Sequence, residues 1–277
     1  MSCTDEKTGL SCADPCGTLM ISNAEYHADP AVSASHLHAV LQSPQHYFKK
    51  YIDPNRPKND PTAAMRLGTL CHTAVLEPDD LKKRHPVVSS RRTKEAQQLI
   101  SDGFEPVLQS EMDTAEQMAE SVRNHPEAAW LLSVGEAEYS LWWNDEEHGL
   151  RCKCRPDWWA GDLVVDLKTT QDASPKAFAK SVANFGYHRQ QAHYVKGTNC
   201  ARFIFIVVEK TYPFQTAVYE LDAEASAIGE DQRRRAMNRI ATCKQRDEWP
   251  GYGDNVQTLS LPSWATYDEI PFSDSDV

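Results

Sequence analysis

No stretch of the 277 residues approaches the ~18 uninterrupted apolar positions that a membrane-crossing helix needs. Met1 to Leu10 carries acidic groups where a secretory leader would need a basic and then an apolar run. A cytoplasmic protein without a membrane partner is therefore expected. Cysteine occurs at positions 3, 12, 16, 71, 152, 154, 200 and 243, neither densely nor in C-x-x-C units, which argues against a disulfide scaffold and leaves reduced thiols. Cys152 and Cys154 share one strand face, but a zinc module built on them lacks a second thiol pair. Positive charge is short as well: 29 Lys and Arg stand against 40 Asp and Glu, a net charge of −11. That balance argues against broad, non-specific coating of nucleic acid. It does not exclude an enzyme acting on nucleic acid, because the acidity is segregated: Tyr267 to Val277 holds four acidic residues and no basic one. Arg151, Lys153 and Arg155 reverse the sign locally.

What is present is an ordinary globular composition, 40% hydrophobic and 25% charged, long enough for one large α/β domain. Residues 1–20 mix Ser, Thr, Cys, Gly, Pro and Asp without periodicity and are expected to be poorly ordered. A single domain is expected over 21–250, followed by an acidic tail over 251–277. Helical spacing covers Ser33 to Tyr51 and Thr62 to Leu76, with a Pro/Asn-rich break between them. Residues 79–132 read as helices joined by exposed loops. Three strand-like runs follow, Ala137 to Trp143, Leu150 to Trp159 and Leu163 to Thr169, and their short turns predict a β-meander. Helices are expected over Ser174 to Phe185 and Tyr187 to Lys196, strands over Phe203 to Val208 and Phe214 to Leu221, and a long helix over Asp222 to Arg246 with Ile228, Ala236, Ile240 and Cys243 on one face. The order predicts an α/β protein with a mixed central sheet flanked by helices. No internal repeat is visible.

Alternation along a strand places residues two apart on one face. In an unbroken strand over Leu150 to Trp159, Arg151, Lys153, Arg155 and Asp157 share a face. In the next strand Asp162, Val164, Asp166 and Lys168 do so, with Val165 and Leu167 opposite. Adjacent antiparallel strands can then bring Asp157, Asp166 and Lys168 together. Two carboxylates and the Leu167 backbone carbonyl suit Mg2+, which takes oxygen ligands and keeps several waters. A neighbouring lysine can orient or deprotonate a water for phosphodiester hydrolysis. The plain alternative is that Asp-x-Lys at a strand end is a surface salt bridge.

Further pieces follow in a fixed order: Gly68-Thr69-Leu70-Cys71-His72, Ala137-Glu138-Tyr139-Ser140, Arg155-Pro156-Asp157, Asp166-Leu167-Lys168-Thr169-Thr170 and Gln190-Gln191-Ala192-His193-Tyr194. Over roughly residues 21–222 this resembles the RecE exonuclease (exonuclease VIII) branch of the PD-(D/E)XK nucleases, of phage and prophage type. Tyr26-His27 through Ser43-Pro44, and Leu261-Pro262-Ser263-Trp264 with Tyr267-Asp268-Glu269-Ile270, resemble the same branch. The resemblance implies a restriction-endonuclease-like core. It implies Asp157 and Asp166 as metal ligands, Lys168 as the catalytic lysine, and His72 as a further metal ligand or phosphate contact; the alternative for His72 is a histidine packed on its helix. Glu138 resembles an upstream site carboxylate, with Glu136 as a rival on the same face. Gln190 and Tyr194, four apart on one helical face, resemble a Q-x-x-x-Y motif that contacts DNA, and Arg151, Lys153 and Arg155 are the expected DNA-binding cations. Trp142, Trp143, Trp158 and Trp159 could stack on bases, though core placement is expected for Trp158.

The resemblance further implies a Mg2+-dependent exonuclease, with Mn2+ as a substitute, working 5′ to 3′ on linear double-stranded DNA ends. It would leave 3′ single strands for recombination, as a ring-like homo-oligomer, with a RecT-type single-strand annealing protein as partner. A structure-specific endonuclease or nickase with the same site and a non-catalytic DNA-binding scaffold are the alternatives. The chain departs from the iron-sulfur nucleases of the superfamily, since only Cys200 and Cys243 follow the core, and no such cluster is expected.

Overall fold

The computed structural model describes residues 21–57 and 60–262. The readings for residues 1–20 and for 263–277, including Trp264 and the acidic tail from Tyr267, lie outside the described residues. The helices are α1 Asn23–Ala28, α2 Ala34–Gln42, α3 Pro44–Tyr47, α4 Ala63–Leu76, α5 Leu81–Arg84, α6 Lys94–Ser101, α7 Gln109–Asn124, α8 Pro126–Leu131, α9 Pro175–Phe185, α10 Tyr187–Thr198 and α11 Ala223–Arg246. The strands are β1 Glu136–Ala137, β2 Leu141–Asp145, β3 Leu150–Cys154, β4 Trp158–Ala160, β5 Leu163–Thr170, β6 Arg202–Glu209 and β7 Thr216–Glu220. No helix among the described residues is long and apolar enough to cross a membrane.

Caps fix the helix starts where the sequence places them. Thr62, Ser174 and Asp222 each accept a bond from the backbone N–H three residues on, opening α4, α9 and α11. Pro175 occupies the first position of α9, where its missing N–H costs nothing. α9 ends at Gly186, whose φ of +72° closes the turn into α10.

The main sheet has the order β1-β4-β5-β6-β7, with β5 and β6 parallel and the other pairs antiparallel. Both faces of its centre are covered. Val165 and Leu167 of β5 and Ile204, Ile206 and Val208 of β6 pack with Cys71, Leu76, Met118, Val122 and Leu131 of α4, α7 and α8. The alternate residues Val164, Phe203, Phe205 and Val207 pack with Phe178 and Val182 of α9, and Tyr187 and Tyr194 of α10 lie against them. Each fully buried aliphatic side chain of this kind contributes ~1.5–3 kcal/mol, which holds β5 rigid between two helical layers. This is a restriction-endonuclease-like α/β core with a mixed sheet flanked by helices.

The expected meander is corrected in its connectivity. β2 and β3 form a separate two-stranded sheet, while β1 and β4 belong to the main one. Both long runs break at the same level: the first at Glu138, in left-handed conformation at φ 54°, and the second at Arg155-Pro156-Asp157. Pro156 has no N–H to give to a ladder. Beyond the break β3 leans on the N-terminal segment, where Val32 accepts the Lys153 N–H and donates to the Arg151 carbonyl. Along α11 the buried face is Gly229, Arg233, Ala236, Met237, Ile240 and Cys243. Ile228 is 46% exposed, a correction to the expected stripe: Gly229 meets the His188 backbone of α10 and turns its neighbour outward.

Candidate active site

The two breaks in the strands lie side by side, with the Glu138 N–H donating to the Asp157 carbonyl at 3.2 Å. They place two carboxylates beside β5, past the last β4 partner, where Trp158 pairs with Val165. Asp157 Oδ2 accepts the Leu167 N–H at 2.7 Å, taking the place of a ladder partner. Within a strand the N–H and C=O of one residue point to the same edge, so the Leu167 carbonyl faces the same edge as Asp157.

His72, on α4, sits against this edge, with Nδ1 3.7 Å from Asp157 Oδ2. One ligand atom each from His72, Glu138 and Asp157 lie within 4.8 Å of one another. Burial first, and the charge of Asp157 second, push the Glu138 carboxyl up to about 8, against the pull of Arg155. Glu136, its rival, is exposed on the edge strand and outside this group.

Behind the cluster Asp166 is 1% exposed. Its Oδ1 accepts from Gln190 Nε2 at 2.6 Å, and its Oδ2 touches the Lys168 ammonium without an aligned hydrogen bond. Burial lifts the Asp166 carboxyl up to about 6, with Lys168 opposing and Asp157 adding to the lift. Burial works against the Lys168 charge, but Asp166 and Asp157 outweigh it and hold the ammonium above its usual range. The Tyr187 ring covers that ammonium at 4.6 Å. Sequence reasoning missed Tyr187. The signal was there, since it lies three residues before Gln190, on the same helical face.

The expected DNA-binding cations are placed otherwise. Lys153 is buried, donating to the Asp29 carbonyl at 2.7 Å and to that of Tyr26, and the Tyr26 ring lies 4.4 Å from its ammonium. Arg155 is buried as well, with Nε on Ser140 Oγ at 2.7 Å and a second nitrogen on the Ile21 carbonyl. Arg151 is exposed but paired with Asp29 at 2.8 Å. All three therefore tie the N-terminal segment to β3 and the residue just after it: the expected face existed only while that strand ran on and stood in solvent. Tyr194 is likewise turned inward, its hydroxyl donating to the Arg155 carbonyl at 3.2 Å. Trp158 packs on the core, as expected, and donates to the Val134 carbonyl. Trp142 is buried, Trp143 lies against His193, and Trp159 packs on the opposite face of the sheet.

One imidazole and two carboxylates on so small a perimeter fit a divalent cation. The Glu138 carboxyl, lifted by burial and by the charge of Asp157, marks a place where a second negative charge is resisted unless a cation joins it. The family described as a PDDEXK-like domain of unknown function (DUF3799) matches residues 33–262. No curated protein matches. Among solved structures, a candidate exonuclease from Eubacterium rectale is 14% identical, with a TM-score of 0.62 over 91% of this chain and 100% of its own, a likeness of fold. A phage-related exonuclease from Haemophilus somnus is 12% identical, with a TM-score of 0.34 over 79% of this chain and 96% of its own.

Proposed function

Since this chain belongs to the PDDEXK-like domain family matched over residues 33–262, we propose that it is a divalent-metal-dependent DNA nuclease, acting as an exonuclease on linear double-stranded ends. The observation that carries this reading is the convergence of His72, Glu138 and Asp157 beside the buried Asp166–Lys168 pair at the open edge of β5. A cation held by His72, Glu138 and Asp157, with Asp166 and the Leu167 carbonyl completing the set, would supply Lewis-acid charge to the phosphodiester. Mg2+ suits the carboxylates, and the imidazole makes Mn2+ an effective substitute. Lys168, held by Asp166 on one side and Tyr187 on the other, orients the attacking water and meets charge developing on the phosphate. Gln190 keeps Asp166 in register. The RecE-like motif order supports 5′ to 3′ polarity, 3′ overhangs for strand annealing with a RecT-type partner, and a ring-like homo-oligomer.

The test is digestion of end-labelled linear duplex beside closed circular DNA, in Mg2+ or EDTA, by wild type and Lys168→Ala. Metal-dependent nucleotide release from linear ends, absent in the variant, is the expected result. Nicking of circles with linear ends untouched would make the protein an endonuclease with the same site. No cleavage of either would leave a binding scaffold.

A further inference from the structure

Three glycines lie inside helices of the described residues, and two are explained by packing. A Cβ on Gly197 would stand 2.5 Å from the Trp143 ring, and one on Gly229 would stand 2.2 Å from the His188 carbonyl oxygen. Gly68, in α4, has no such reason: the one atom near its missing Cβ is Thr169 Oγ1, at an ordinary 3.7 Å. Glycine inside a helix is destabilising relative to alanine, and no packing contact among the described residues requires it at this position.

The place of this gap is informative. Gly68 precedes His72 by four residues, so both lie on one face of α4, one turn apart. The wall opposite is the residue next to Lys168, and the partly exposed Thr169 hydroxyl has no hydrogen-bond partner among the described residues. A floor without a side chain, a free hydroxyl for a wall and the candidate metal ligands one turn away make a notch fitted to a close-approaching polar chain.

We propose that the Gly68–Thr169 notch seats the sugar-phosphate backbone of the DNA strand beside the phosphate being cut, the Thr169 hydroxyl donating to the neighbouring phosphate. This rests on the nuclease reading above. Gly68 and Thr169 are positioning residues for substrate, and a methyl group at position 68 fills space that only substrate uses.

The experiment compares wild type, Gly68→Ala and Thr169→Val on linear duplex in Mg2+, measuring kcat and KM, together with thermal unfolding without DNA. Gly68→Ala should unfold about 2–4 °C higher, as a helix relieved of glycine, yet show KM raised about tenfold with kcat changed less. Thr169→Val, which keeps the shape and removes the donor, should also raise KM, with unfolding unchanged. A purely structural glycine would move stability and activity down together, so a lower unfolding temperature in Gly68→Ala overturns the proposal. Unchanged KM in both variants overturns it too, while the nuclease reading stands. If wild type cuts no DNA, the nuclease reading fails and the notch with it.

Discussion

Replacing Glu138 by Gln should make the metal-free protein more stable at alkaline pH while removing its response to metal. Glu138 has a carboxylate oxygen within 4.8 Å of ligand atoms of both Asp157 and His72, and its carboxyl is lifted from 4.5 to about 8 by burial and by Asp157. Below pH 4.5 folded and unfolded chains both hold the proton. As pH rises from 4.5 to 8 the unfolded chain releases it and the folded chain does not, so stability falls through that window and the whole deficit is present above pH 8. At 1.36 kcal/mol per unit the shift sets a ceiling of about 5 kcal/mol, and about 3 kcal/mol is expected for a side chain partly reached by solvent. Calorimetric unfolding in EDTA should therefore show wild type and Glu138→Gln together at pH 4. At pH 8.5 the variant should unfold about 6–12 °C higher. Adding Mn2+ or Mg2+ should raise the unfolding temperature of wild type, by mass action on the folded state, and leave the variant nearly unmoved. A variant no more stable at pH 8.5 than wild type, or equally shifted at both pH values, would refute the idea that these carboxylates repel until a cation joins them.

Gln190→Ala removes the 2.6 Å bond to Asp166, leaving a buried carboxylate oxygen unpartnered at a cost of ~1.5–3 kcal/mol; cleavage should slow about 10- to 100-fold in single-turnover assays with DNA affinity kept. Tyr187→Leu loses the ring over Lys168, so its kcat should fall about tenfold, whereas Tyr187→Phe, which keeps a ring face, should stay close to wild type. His193 is fully buried, and burial lowers its pKa to about 4; as a base held neutral, it contributes stability above pH 6.5 that is lost toward pH 4, about 3 kcal/mol. Chemical denaturation at pH 7 and pH 4 should show His193→Gln losing less than wild type across that interval. With Lys153 and Arg155 turned inward and Arg151 paired with Asp29, the expected cationic face offers phosphates little, and DNA affinity measured by anisotropy should fall only several-fold between 50 and 200 mM salt, a slope far shallower than that of a protein making six or more phosphate contacts.

Most helices were legible because their signals are local. Thr62, Ser174 with Pro175, and Asp222 cap them, and the apolar stripe of α7 repeats at helical spacing. The buried centre was legible too, since a run such as Phe203 to Val208 has no polar face to show water. Alternation along β5 set Asp166 and Lys168 against Val165 and Leu167, as the structure does. The charged run before Pro156 misled, because period-2 alternation says which residues share a face and not what covers it. Lys153 and Arg155 are covered by Tyr26 and the carbonyls of Ile21, Tyr26 and Asp29, more than a hundred residues away in the chain. His72 and Glu138 could be placed by likeness only. Helical spacing cannot say which face of α4 meets Asp157, and no propensity foretells a glutamate at φ 54°.

That left-handed glutamate and the broken hairpin are one device. Had the strands run unbroken from Ala137 to Trp159, the ladder between β4 and β5 would have continued past Val165 and occupied the Leu167 backbone. Asp157 would have been one more alternating side chain on a sheet face. Ending β4 at Trp158 and bridging the gap with the Asp157 carboxylate keeps the Leu167 N–H satisfied. The Leu167 carbonyl is left on the open edge. The same break brings Glu138 round to face His72. A fold that gives up ladder bonds at one level, and fills the opening with an imidazole, two carboxylates and a lysine on a buried aspartate, has spent stability where only a charged ligand can return it.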